Sequence, residues 1–132
     1  MRLYVNLVVP VSGQVGLLAA LHALVALNRV YLRSHRATPS IYSAGVRYLR
    51  DVETSSQRRP DAEMWVTIPD ALAARGGDCK VLSAWRVAEL LERGLDAAPV
   101  LSRKGHTWHV RVRMPDGSLE DPSARLGMRG AA

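Results

Sequence analysis

Gly76-Gly77-Asp78-Cys79-Lys80-Val81-Leu82-Ser83-Ala84-Trp85 places the only cysteine of the chain where a helix is expected to begin. The two glycines permit a tight approach, Asp78 is of the type that caps a helix N-terminus, and Val81, Ala84, Trp85, Ala88 and Leu91 recur at helical spacing until Arg93-Gly94. A cysteine reacts as its thiolate, and the first turn of a helix favours that anion because backbone N–H groups and the positive end of the macrodipole face it. Asp78 works against this, since a neighbouring negative charge raises a thiol pKa, so a histidine partner has to supply the remaining bias. The plain alternative is a small buried cysteine with no chemistry.

Downstream of the cysteine helix, residues 97–102 read as a strand, Arg103-Lys104-Gly105 as a basic turn, and residues 106–114 as a second, clearly alternating strand. Val110, Val112 and Met114 are expected on one face of it, and His109, Arg111 and Arg113 on the other. Pro115-Asp116-Gly117 then makes a hairpin turn toward Leu119 and Asp121. Histidine and aspartate thereby come to adjacent antiparallel strands, about 5 Å apart at Cβ, close enough for an imidazole N–H to reach a carboxylate. A surface hairpin with ordinary arginine–carboxylate pairs explains the charges, but not the chain order Cys79, His, Asp121.

Gly77-Asp78-Cys79 opening a helix, a histidine in a following strand and Asp121-Pro122-Ser123 resemble the transglutaminase-like superfamily of papain-like thiol enzymes. Residues 40–128 look more narrowly like a small phage and bacterial branch, through Tyr42-Ser43-Ala44-Gly45-Val46-Arg47-Tyr48, Glu63-Met64-Trp65, Trp85-Arg86-Val87-Ala88-Glu89-Leu90, Trp108-His109-Val110, Glu120-Asp121-Pro122-Ser123 and Leu126-Gly127-Met128. The resemblance implies that Cys79 attacks an amide carbonyl, a histidine takes and returns the proton, and Asp121 orients that histidine. His109 fits the branch and is the preferred base, while His106-Thr107-Trp108 imitates the wider superfamily and makes His106 the alternative. Lys80 departs from the acidic residue that often follows the cysteine in the branch, which bears on substrate preference. The resemblance also offers Trp65 as an oxyanion donor, beside the backbone N–H of Cys79 and against the plainer reading of Trp65 as a core aromatic.

Upstream, residues 3–9 are rich in β-formers and read as a short strand stopped by Pro10. A long helix follows, with Leu17, Ala20, Leu21, Leu24, Leu27 and Tyr31 at spacings of three and four. Its apolar centre, residues 17–27, reads as too short and interrupted for a membrane span, and a signal peptide is a weaker rival. Residues 34–59 are polar and irregular, with Tyr42, Val46, Tyr48 and Leu49 as anchors, and in similar enzymes such a stretch lines one wall of the cleft. Thr67 is expected to cap a short helix carrying Pro69 in its first turn and ending at Gly76.

The chain of 132 residues is long enough for one domain around one core, divided as 1–36 (strand and helix), 37–75 (loop and short helix) and 76–128 (the Cys/His/Asp core). The expected fold is α+β, a papain-like or transglutaminase-like core in which the cysteine helix packs on a three- or four-stranded antiparallel sheet beside the long N-terminal helix. One cysteine leaves no disulfide framework and suits the cytoplasm or, for a phage protein, the virion. The net charge of +6 favours acidic partners, but the arginines are scattered and no nucleic-acid-binding motif accompanies them, so neither nucleic acid nor membrane is the expected partner. Two functions remain in view: acyl transfer on a protein or peptide amide, as protease, amidase or transglutaminase, and an inactive domain of the same fold assembling with phage structural proteins. Zinc held by Cys79, His106, His109 and Asp121 is a third, disfavoured because the two histidines, three apart in a strand, point to opposite faces. The expected chemistry uses no cofactor and no metal.

Overall fold

The computed structural model describes residues 3, 13–50 and 65–129, so the strand expected at 3–9 falls, apart from Leu3, outside the described residues. The elements run α1 (Gly13–Ser34), a 3-10 turn (Ile41–Ser43), β1 (Arg47–Tyr48), α2 (Ile68–Ala74), β2 (Gly76–Gly77), α3 (Cys79–Glu92), β3 (Ala98–Lys104), β4 (Thr107–Arg113), β5 (Leu119–Glu120) and α4 (Pro122–Arg125). Helices and an antiparallel β3-β4-β5 sheet make the expected mixed architecture, with a small parallel β1-β2 ladder added to it.

α3 lies at the centre. Its residues 81–85 and 87–90 are all buried, so it is covered on nearly every side. On one side Ala84, Val87, Ala88 and Leu90 meet Leu24 and Val25 of α1 together with Ala97 and Val112. On another, Val81, Leu82 and Trp85 meet Ile41, Val46, Ile68 and Ala71. Ile41, fully buried, is an anchor of the 34–59 segment that its polar composition concealed. Truncating the fully buried Trp85 to alanine removes packing worth about 3–5 kcal/mol.

α1 is long and apolar enough to cross a membrane by length and composition, so the reading of its apolar stretch as too short is corrected. Within the fold it is a packing helix: Leu21, Leu24, Val25 and Asn28 are buried, and Arg29 and Arg33 bond Glu92 of α3 at 2.7 and 2.6 Å.

α2 begins where expected, but Thr67 makes no side-chain cap. Its first amide, Ile68 N–H, is instead satisfied by Asn28 Oδ1 of α1 at 3.0 Å, so a buried polar residue from another helix does the capping. Nor does glycine end it: Arg75 takes the left-handed conformation at φ 59°, and Gly76 passes straight into β2, opposite Arg47. Gly76 is required because a methyl there would overlap the Arg47 carbonyl oxygen and the Leu49 side chain.

The β3-β4 hairpin turns at Gly105-His106, not over 103–105 as expected, because Arg103 and Lys104 continue the ladder opposite Trp108 and Thr107. Val110 and Val112 are buried and His109, Arg111 and Arg113 only partly so, which is the expected alternation. Asn28→Leu should cost about 1–3 kcal/mol in denaturant unfolding, since the shape is kept while the buried Ile68 amide loses its acceptor. Gly76→Ala should cost about 3 kcal/mol or more by the same measurement, because the clash is with backbone that cannot swing away.

Candidate active site

The first turn of α3 is built by its cap. Asp78 Oδ1 accepts from the amides of Lys80 at 3.0 Å and Val81 at 3.3 Å, which fixes Cys79 as the first helical residue. The Lys80 ammonium pairs with the other carboxylate oxygen of Asp78 and stands 5.7 Å from the Trp65 ring centroid. A nearby cation thus opposes the negative charge that Asp78 sets beside the thiol, an effect the sequence reading of Asp78 did not include. Cys79 itself is half-buried and belongs, with Trp65 and Trp108, to the side chains packed around Leu21, Leu101 and Val110.

β1 brings a further group to this turn. Tyr48 pairs with Gly77 in the parallel ladder, and its neighbour Leu49 donates its amide to the Gly77 carbonyl at 2.8 Å. The Tyr48 hydroxyl is held above its ordinary pKa by burial first, then by the negative charge of a Cys79 thiolate and of Asp78, against the opposing effect of Arg50 and Lys80. Tyr48 therefore faces the thiol's surroundings. In the sequence it stood out only as an apolar anchor of the irregular segment.

His109 and Asp121 are joined directly, Nε2 to Oδ2 at 2.8 Å, with side chains 24% and 16% exposed. A carboxylate on Nε2 makes that nitrogen the N–H donor and leaves Nδ1 as the ring's basic nitrogen. Asp121 lies one residue beyond β5, and its second oxygen accepts from the Ala124 amide at 3.2 Å, capping α4. Both carboxylate oxygens are therefore engaged, which fixes the carboxylate and through it the imidazole.

Successive carbonyls of a strand point to opposite edges. That of His109 lies toward β3, where Ser102 Oγ donates to it at 3.4 Å, so that of Val110 points to the other edge. β5 has already ended there, and Ser83 Oγ of α3 donates to this carbonyl at 3.0 Å. Ser83 stands four residues, about one turn, after Cys79 on the same helix face. Ser83, one turn after Cys79, thus ties α3 to β4 at Val110, the residue next to His109. His106, by contrast, is exposed in the Gly105-His106 turn. Trp65 is partly buried against two of the core clusters. Among the described residues no three His, Cys, Asp or Glu side chains converge as metal ligands.

No family model, no curated protein and no solved structure matches the chain.

Next to this pair lies a polar cluster that the sequence did not announce. Tyr42 donates its hydroxyl to Glu120, and burial followed by that bond and the Glu120 charge pushes its pKa far above the ordinary 10.0. A tyrosine pKa raised on folding contributes stability that is complete below the unfolded value and lost as pH rises through the folded one. Stability should therefore fall from about pH 10 upward, and fall less steeply in Tyr42→Phe. Denaturant unfolding of both proteins across alkaline pH checks this.

Proposed function

We propose that the chain is a cysteine-dependent acyl-transfer enzyme of the transglutaminase-like, papain-like kind, acting on protein or peptide amides. The observation that supports this most is the 2.8 Å bond from His109 to Asp121, with the next residue of β4, Val110, tied to the Cys79 helix one turn beyond the thiol. The antiparallel sheet behind a cysteine-bearing helix agrees with the family.

In this reading Cys79 gives its proton to His109 Nδ1, and the sulfur attacks the substrate carbonyl carbon. The resulting oxyanion faces the N-terminus of α3, where helix amides and the positive end of the dipole favour it. Collapse of this intermediate breaks the C–N bond, His109 returns the proton to the leaving amine, and the acyl group stays on sulfur as a thioester. Water then yields a free acid, as in a protease or amidase, and a lysine amine yields a new amide, as in a transglutaminase; His109 removes the acceptor's proton and restores it to the thiol. Asp121 holds the tautomer and stabilises the imidazolium. Lys80, paired to Asp78 at the mouth of the helix, keeps the surroundings of the thiol less acidic than in the family's usual pattern. The reaction so written draws on no cofactor, and a reducing compartment such as the cytoplasm keeps the thiol competent.

The pH dependence of Cys79 alkylation by iodoacetamide tests this without a substrate. Alkylation should be fast well below the ordinary thiol pKa of about 8.5. It should slow about 100-fold in His109→Ala, slow less in Asp121→Asn, and remain fast in His106→Ala. Slow alkylation that tracks the ordinary thiol and ignores all three substitutions would sink the enzyme reading and leave an inactive assembly domain of the same fold.

A further inference from the structure

Asp121 follows a very short strand. β5 is two residues long and pairs only at Val112↔Glu120 and Arg113↔Leu119, so the ladder by itself holds the segment weakly. Its neighbour Glu120 is far better held. The Glu120 carboxylate is 12% exposed and accepts from Arg86 Nε at 2.8 Å and Nη2 at 3.4 Å and from the Tyr42 hydroxyl, with Arg125 Nη1 at 3.7 Å. Arg86 is braced in turn, through Nη1 to Glu89 Oε1 at 2.9 Å, and the buried Glu89 also accepts from the Ile41 amide at 3.1 Å and the Ser40 hydroxyl at 3.4 Å.

Two further features give this network a direction. Arg86 comes seven residues, about two turns, after Cys79 and shares its face of α3. Neighbours in an extended segment point to opposite faces, so holding Glu120 toward α3 beside Val112 presents Asp121 on the face of His109. We propose that the Arg86–Glu120 ion pair, braced by Tyr42 and Glu89, is the positioning element that sets the Asp121 carboxylate against His109, with α3 as the rigid member that carries both the thiol and the brace. Arg86, Glu120 and Tyr42 are positioning residues that touch no reacting atom. The pair is largely buried and neutralised on both sides, so it fixes geometry better than the exposed ion pairs of this protein. Its catalytic meaning rests on the acyl-transfer reading, whereas its structural effect is read on the imidazole alone.

The test compares Glu120→Gln, Arg86→Lys and Tyr42→Phe with Val87→Ala, a core variant that destabilises without touching the carboxylate. Nitrogen-15 NMR of the imidazole reports the Nε2–H bond to Asp121, and iodoacetamide alkylation near neutral pH reports the thiol. Glu120→Gln and Arg86→Lys should lose the His109 tautomer preference and slow alkylation about tenfold or more, as outer partners of functional histidines do. Tyr42→Phe should show the same change to a smaller extent, and it carries the test if the other two variants fail to fold. Val87→Ala should change neither readout. Folded Glu120→Gln or Tyr42→Phe protein with wild-type imidazole signals and rate overturns the proposal, and so does Val87→Ala shifting both readouts equally. If wild-type alkylation proves independent of His109, the acyl-transfer reading fails, and the imidazole signals alone then decide the positioning role.

Discussion

α3 is buried on nearly every side, and this constraint organises the rest of the chain. A helix so enclosed cannot keep its polar residues in water, and its buried hydroxyl, guanidinium and carboxylate groups find protein partners. Ser83 finds the open carbonyl of Val110, Arg86 finds Glu120, and Glu89 finds Arg86 together with the Ile41 amide and Ser40. These bonds fasten β4, β5 and the 40–42 segment to one rod. At the end of that rod, Asp78 closes the first turn and leaves Cys79 half-buried.

The chemistry suggested for the protein follows from the N-terminus of α3 and from the His109–Asp121 pair. A helix N-terminus favours an anion, a neighbouring ammonium opposes the repulsion from the capping carboxylate, and an imidazole with one nitrogen bonded to a fixed carboxylate is oriented in one tautomer. None of these features is unusual alone. The acyl-transfer proposal rests on their combination, with both oxygens of Asp121 occupied. Tyr48 closes another side of the same turn through the short parallel ladder, a contact made possible by two glycines that leave no room for a side chain.

The elements read from sequence correspond closely to those found from residue 65 onward. The cap at Asp78, the helix to Glu92, the alternation of β4 and the turn at Pro115-Asp116-Gly117 all follow local rules. Errors arose where the deciding partner is distant. Thr67 has the right chemistry for a cap, yet it makes no cap bond, and the first amide of the helix, that of Ile68, is bonded by Asn28, forty residues away. Ile41 sits among polar residues and is nonetheless fully buried, because Trp85 and Leu82 of α3 cover it. Tyr42, Arg86 and Glu120 carried no signal of a shared site, since up to 78 residues separate them in the chain.

The sequence by itself determined which segments are helix or strand, which residue opens the cysteine helix, and the order of thiol, imidazole and carboxylate, because periodicity, capping and turn chemistry act over a few residues. Only the tertiary structure showed how differently the two histidines are placed. The ladder continues through Arg103 and Lys104, which leaves His106 in the exposed turn and puts His109 on the strand face that Asp121 reaches. It also decided what holds Asp121 in place, for a buried carboxylate such as Glu120 takes whichever donors the packing brings to it, and that packing is set by the burial of α3 and not by any neighbour in sequence.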